Sequence, residues 1–401
     1  MNVTHESSPW AASLDDRFPQ ATGTLNYRFV IVGAGIVGVA HALTLADELK
    51  RSESKDRILL LDAGLVFSGI SHLQAGMITR TFDKRYDEIL DEEGEDALIH
   101  RFGAGYEAQQ YLFDLIGRFG GACGFNMGAS RYGAYDDGES QESLAGLWRG
   151  AAVAKTGADL VQSAIGADSP FARYMLFPEE GNYNPALFAY NALTSELGQY
   201  IDVRANSPVQ SIEVQDEQVL LKTRLATIIA SKVVLATAKP TLLSCEQLDQ
   251  LFSTEWVASV ALKYNTPLNL KPELNYFDTP WINTFRIVDG NTLLLLGEGP
   301  NLDEGESKES YIEDLLAFAT EHFGAEFVVS RVWCGGLVDT DDQMPIGGEH
   351  PDHAGRVHLA LGTGGTGNVN AFVLALMNAA RMLGREPVEF DSLFNVERFI
   401  R

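Results

Sequence analysis

Gly33, Gly35 and Gly38 fall between a short apolar run, Tyr27 to Val32 (YRFVIV), and a segment with helical spacing, Ile36 to Lys50. A G-x-G-x-x-G at a strand-to-helix junction admits few folds. The first glycine makes a tight turn, the second lets a pyrophosphate reach the backbone, and the third lets helix and strand pack closely. Ala34, Ile36 and Val37 fill the motif, at a helix N-terminus whose free N–H groups favour an anion. Apolar side chains at Ile36, Val39, Ala40, Leu43 and Ala46 recur at helical intervals. The polar loop RSESKD leads to RILLLD (57–62), read as a second parallel strand. Its last residue, Asp62, stands where an acid bonds a ribose hydroxyl, with Ala63 and Gly64 in the turn beyond. An acid there argues against a 2′-phosphate, hence against NADP. The expected fold class is α/β with a Rossmann-like dinucleotide domain.

The chain has 401 residues, 45% hydrophobic and 21% charged, room for two or three domains and a core that needs no disulfides. Lys and Arg number 30 against 55 Asp and Glu, a formal charge of −25. Nucleic acid and anionic lipid are bound by basic residues that replace counterions, so neither is an expected partner. Cys123, Cys245 and Cys334 lie far apart with no CxxC, which reads as free thiols in a reducing compartment. The opening MNVTHESSPWAASLDDRF lacks the basic start and apolar run of a secretory signal. No apolar stretch reaches the ~18 residues of a spanning helix. A cytoplasmic location without a membrane span is expected. HExxH, P-loop and GxSxG motifs are absent from the sequence, so metal and acyl-transfer chemistry are not expected.

Residues 1–26 are polar and aperiodic and read as an arm outside the main fold. YDEILDEEGEDALIH (86–100) reads as a solvated helix or loop, and 104–120 as an amphipathic helix. The stretch 200–242 alternates like strands, with TIIA and KVVLATA taken separately, and 254–297 is again strand-rich. A strand at 357–361, the glycine turn GTGGTGN and a helix from Val369 to Leu383 close the chain. Two interleaved domains are predicted. Residues 27–85, 178–242 and 330–401 form the dinucleotide domain, and 86–177 and 243–329 form an α+β substrate domain with a mixed or antiparallel sheet.

Five segments occur in a telling order: VIVGAGIVGVAHA…LLLDAG, GISHLQAGMITR (69–80), VVLATA (233–238), VWCGGLVDTDDQMPIGG (332–348) and LGTGGTGNVNAF (361–372). Over about residues 28–401 this resembles the FAD-dependent oxidoreductase family of D-amino acid oxidase, glycine oxidase and sarcosine oxidase. The resemblance implies FAD as cofactor, its pyrophosphate on Gly33, Gly35 and Gly38 and its ribose on Asp62. Ser71, Gln74, Ala75 and Gly76 match the segment that runs toward the flavin. Val209 matches a valine whose backbone meets adenine. Ala236 and Thr237 match a strand end at which Ala238 replaces the family's glycine. Gly362, Gly365, Thr366 and Gly367 match a turn whose amides face the flavin pyrimidine edge, where reduced flavin gathers negative charge.

The implied reaction is hydride removal from a carbon bearing an amine or a hydroxyl. A neutral amine needs no strong protein base, whereas an alcohol does, usually His. Candidates for substrate contact are His72, which follows Ser71 as in the sarcosine oxidase branch, and Arg80 and Arg286, either of which could clamp a carboxylate. Tyr132, Tyr183 and His358 read as packing. Cys334 lies near the place where that branch attaches its flavin. The branch's substrate-binding lysine after the last glycine turn is replaced by Val369 and Asn370, and its oxygen-activating lysine is not found either. The expected substrate is a small amino acid or secondary amine, with oxygen or a carrier as electron acceptor. Oxidation of a 2-hydroxy acid, and flavin binding without turnover in an assembly role, stay open.

Overall fold

A computed structural model describes residues 7–135, 138–162, 170–243, 246–279 and 282–399. Cys245 lies outside the described residues.

The first sheet grows from β1 (Gly23–Val32), α1 (Ile36–Arg51) and β2 (Ile58–Leu61). Strands β1 and β2 run parallel, with Phe29 opposite Ile58 and Val32 opposite Leu61. Ile58 to Leu61 are all fully buried. A strand apolar on every side chain is what a sheet covered on both faces requires. Beyond β2 lies Ile201–Arg204. On the other side of β1 lie Ala226–Ala238, Val357–Leu361 and the antiparallel Ile346–Glu349. The hairpin Ser211–Val214 and Val219–Lys222 joins the first half of Ala226–Ala238. Helix α1 and the helix Gly367–Met382 cover one face. Between them His41 Nε2 meets Asn378 Nδ2 at 3.0 Å, and burial lowers the His41 pKa to about 4, so the ring is neutral in the core.

Among the described residues the second sheet has nine strands. Its order is Phe327–Thr340, Phe252–Tyr264, Thr292–Glu298, Thr284–Asp289, Leu274–Asp278, Asn126–Ala134, Arg173–Asn182 and Met77–Ile78, with Asp159–Gln162 added on Arg173–Asn182. Every pair is antiparallel except Leu274–Asp278 with Asn126–Ala134. Helix Glu309–Phe323 packs on one face through Ile312, Leu315 and Ala319.

Several expectations need correction. The N-terminal residues from Ser8 onward are not a free arm. β1 already begins at Gly23, paired with Ala226. Trp10 is 6% exposed within the main core, and its Nε1 donates to the Gln74 carbonyl at 2.7 Å. TIIA and KVVLATA form one strand, Ala226–Ala238, because Lys232 continues the register opposite Phe29 and its amine reaches out to the Arg381 carbonyl at 3.3 Å. The acidic stretch folds as helix Tyr86–Glu93 and the start of helix Glu95–Phe119, broken at Gly94 with φ +91°. Its apolar residues Tyr86, Ile89 and Leu98 are buried, while Glu92 and Glu93 pair with Lys84 at 2.6 and 3.0 Å. The expected boundary at 330 falls inside Phe327–Thr340, which pairs with Phe252–Tyr264 over its whole length.

Replacing Trp10 by Ala is expected to cost about 3–5 kcal/mol, as for a large buried aromatic. Urea unfolding of the full chain measures it. A change below about 0.5 kcal/mol, the level of an exposed site, would mean that Trp10 does not pack.

Candidate active site

A cleft of about 950 Å³ runs between the two sheets. At one end the strand-to-helix junction is held very closely. A side chain on Gly33 would collide with the Ala236 carbonyl, and one on Gly38 with the Gly33 carbonyl. A methyl on Gly35 would lie 2.7 Å from Ser71 Oγ, which itself accepts from the Ile36 N–H at 2.8 Å. The Asp62 carboxylate accepts from the Ala34 N–H at 2.7 Å and the Gly64 N–H at 2.8 Å. Burial raises its pKa, and those amides work against the rise.

The expected cofactor residues fall into two groups. Gly33, Gly35, Ile36, Val37 and Asp62 line the cleft, as do Ser71, Gln74, Ala75 and Gly76. Ala236 and Thr237 line it from the neighbouring strand end, and Gly365, Thr366 and Gly367 from the glycine turn. Ala34, Gly38, Ala63, Gly64, Val209 and Gly362 lie outside the lining. Gly38 serves helix packing. Val209 packs on the core beneath the hairpin, and the Gly362 N–H donates to the Ala238 carbonyl at 2.9 Å. Ala238 itself has φ +65°. This is the left-handed region where a Cβ costs roughly 1–2 kcal/mol, and it is where the resemblance expects glycine.

The expected substrate groups are not brought together. The Arg80 guanidinium donates to the Pro178 carbonyl, sits 3.9 Å from the Glu180 carboxylate and lies over the rings of Phe102 and Tyr106. Arg286 donates to the carbonyls of Gly76 (3.3 Å) and Tyr183 (3.5 Å) and lies over the Trp10 ring. Burial lowers the Arg286 pKa to about 9. His72 turns its Nδ1 to the Gly69 carbonyl at 2.6 Å. None of the three lines the cleft, and each arginine has backbone carbonyls as hydrogen-bond partners. Tyr132 does line it, with its hydroxyl 2.9 Å from Thr81 Oγ1, whereas Tyr183 donates to Asn368 at 2.7 Å inside the core. Cys334 packs with the cluster under helix Glu309–Phe323, and burial raises its pKa.

Sequence reasoning missed the acids. Asp83, Glu255, Glu298 and Asp339 all line the cleft. Asp83 accepts from the Gly365 N–H at 3.0 and 3.1 Å, so its carboxylate sits on the glycine turn whose amides the resemblance assigns to flavin. A methyl on Gly364 would meet both Asp83 and Asp339 Oδ2. Burial, then the charge of Asp339, pushes the Asp83 carboxyl well above its usual range. Burial raises Asp339 to about 6, with Glu255 and Asp342 adding to the rise and the Thr340 amide opposing it. The signal for Asp83 was its place three residues past GISHLQAGMITR. Only the fold joins it to Asp339.

The family model for FAD dependent oxidoreductases matches residues 28–381. The chain belongs to the FAD-dependent oxidoreductase family. No curated protein matches it. Among solved structures it is similar to glycine oxidase from Geobacillus kaustophilus, at 18% identity and TM-score 0.73 over 94% of this chain and 98% of that one. L-proline dehydrogenase from P. horikoshii gives 15% and 0.73 over 94% and 99%. L-amino acid deaminase from Proteus myxofaciens gives 13% and 0.71 over 99% and 100%. These likenesses establish the fold. FAD suits this oxidoreductase on its own geometry. The glycine cradle has room only for backbone against a phosphate, Asp62 lies at the second strand's end, and the cleft volume is at the upper end for ligand pockets.

Two outcomes are expected. Ala238→Gly relieves the left-handed strain and stabilises by about 0.5–1 kcal/mol in chemical denaturation. For Asp339, the folded carboxyl holds its proton to about pH 6, while the unfolded one releases it near the ordinary 3.8. The folded state binds more protons between those values, so this contribution is present at low pH and lost as pH rises toward 6. Asp339→Asn should remove the loss, raising stability at pH 7 relative to pH 4 by about 1–3 kcal/mol against the parent. Parallel pH profiles for the two proteins would contradict the shift.

Proposed function

We propose that this oxidoreductase takes hydride from the carbon beside the nitrogen of a small amine or amino acid. The observation that carries the reading is the make-up of the cleft. Among the described residues that line it there is no histidine. An alcohol needs a base to take its proton as hydride leaves, and this cleft offers carboxylates in place of the histidine usual in that role; a neutral amine supplies its own lone pair and needs neither. The neighbouring enzymes named glycine oxidase, L-proline dehydrogenase and L-amino acid deaminase point the same way.

In this reading the chain's own residues do three things. The α1 N-terminus with Ser71 and Asp62 anchors the cofactor. Thr81, Tyr132 and Phe277 wall the cleft where the second sheet closes over it, with the last two rings stacked at 4.6 Å and 6°. That apolar wall excludes water from the reacting carbon. Bound FAD supplies the hydride acceptor. The C–H electron pair leaves as hydride, the nitrogen lone pair forms C=N, and water later hydrolyses the imine to a carbonyl compound and an amine or ammonia. Oxygen or a carrier is the final electron acceptor, and the cytoplasm is the proposed location.

The test is the visible spectrum of the FAD-loaded protein, taken anaerobically before and after adding pooled amines and amino acids. Bleaching is expected, at a rate that rises with pH as the substrate nitrogen loses its proton. Bleaching by 2-hydroxy acids alone would overturn the reading in favour of alcohol oxidation. Bands that no metabolite bleaches would favour flavin binding without turnover.

A further inference from the structure

The charged side chains that line the cleft are all of one sign. Asp83, Glu255, Glu298 and Asp339 face it beyond the Asp62 end, and no described lining residue is Lys, Arg or His. Three of these acids come together through strand pairing. Glu298 lies opposite Val257 on the neighbouring strand, two residues along from Glu255, and Leu337, two residues before Asp339, lies opposite Glu255. Basic residues close in sequence to lining segments have other partners: Arg80 has Pro178 and Glu180, Lys84 has Glu92 and Glu93, Arg85 has Asp87, and Arg286 has two backbone carbonyls, while Lys239 beside Ala238 is exposed.

Two further features of this wall point to a ligand. Ser259 is 1% exposed and lines the cleft, and its Oγ has no partner. Buried hydroxyls are normally hydrogen-bonded, so a free one on a cavity wall is a place for a polar ligand group. It alternates with Val257 and Glu255 along one strand, all three lining the cleft. The Tyr132–Phe277 ring stack also lines it. Carboxylates and aromatic rings lining one cleft suit a cation, because ring faces and anions both attract positive charge. A ligand carboxylate in the same cleft would meet like charge with no cation to pair it.

Resting on the amine oxidation proposed above, we propose that the substrate of this cleft is an amine without a carboxylate and not an amino acid, drawn in as its ammonium ion by Glu255 and Glu298 and oxidised once the reacting nitrogen has given its proton to solvent. The specificity is set by exclusion as much as by attraction, since the repulsive element is built into the cleft.

The test compares amines with the amino acids they would come from. Cadaverine is set against lysine, and isoamylamine against leucine, by anaerobic calorimetry on the FAD-loaded protein. The flavin spectrum is recorded in parallel. Each amine is expected to bind at least 10-fold more tightly than its amino acid, and the difference should narrow at high salt. Glu255→Gln combined with Glu298→Gln should weaken amine binding at least 10-fold while the flavin spectrum is retained, which shows the variant is folded. Tighter binding by the amino acids, no amine binding, or unchanged affinity in the double variant would each overturn the proposal. Amines that bind without bleaching the flavin would sink the oxidation reading and leave the cation site standing.

Discussion

The contact between the Gly33 carbonyl and the Cα of Gly38 is the constraint from which the rest of the site follows. No side chain fits there, so α1 can lie down directly on β1 and its first amides open toward the cleft. That approach brings Ile36 N–H to Ser71 and Ala34 N–H to Asp62. Each bond ties a separate stretch of chain to the same turn. The turn is thus a hub that fixes where the second strand ends and where the segment leading into the second sheet departs. A residue larger than glycine at position 38 would separate helix from strand and move all of these at once.

The glycine turn near the C-terminus works differently, because its charge balance comes from the chain itself. A helix N-terminus favours an anion, and at Gly365 the anion present is Asp83. Asp83 follows the strand Met77–Ile78 of the second sheet, while the turn closes the first sheet. The bond therefore ties the segment that leaves a strand of the second sheet to the turn that follows a strand of the first. With Asp339 beside it, the pair holds a proton further up the pH scale than separate carboxylates would.

Much of this was legible in the sequence, where the signal is local. The β1–α1–β2 unit, Asp62 at its end and the final strand, turn and helix are each read from a dozen consecutive residues, and the structure has them. Asn184 before Pro185 is an equally local pattern, and its side chain caps the Leu187 N–H at 3.0 Å where helix Pro185–Leu193 begins. What was not legible depends on partners distant in sequence. Lys232 looked like a break between two strands, yet β1 carries the ladder through it. Trp10 looked like part of an arm because nothing within the N-terminal segment explains its burial; its neighbours are Gln74, Gly76 and Arg286. Arg80 and Arg286 have the right type for a carboxylate clamp, but residue type says nothing of which carbonyls lie within reach.

The acidic wall is the clearest case of that limit. In a chain with 55 acids, Glu255, Glu298 and Asp339 carry no local mark that separates them from solvated surface. They become a site only because Phe252–Tyr264 pairs with Thr292–Glu298 on one side and Phe327–Thr340 on the other, setting three separate segments side by side. Strand alternation then turns Glu255 and Ser259 into the cleft together with Val257 between them. Asp83 and Asp339 stand together in the cleft and repel one another, whereas Glu255 and Glu298 are exposed and keep their hydration. Burial and that repulsion raise the Asp83 carboxyl, and burial raises Asp339 beside it. A cation bound in the cleft would meet only favourable charge there, and would do so only while it carried no carboxylate of its own.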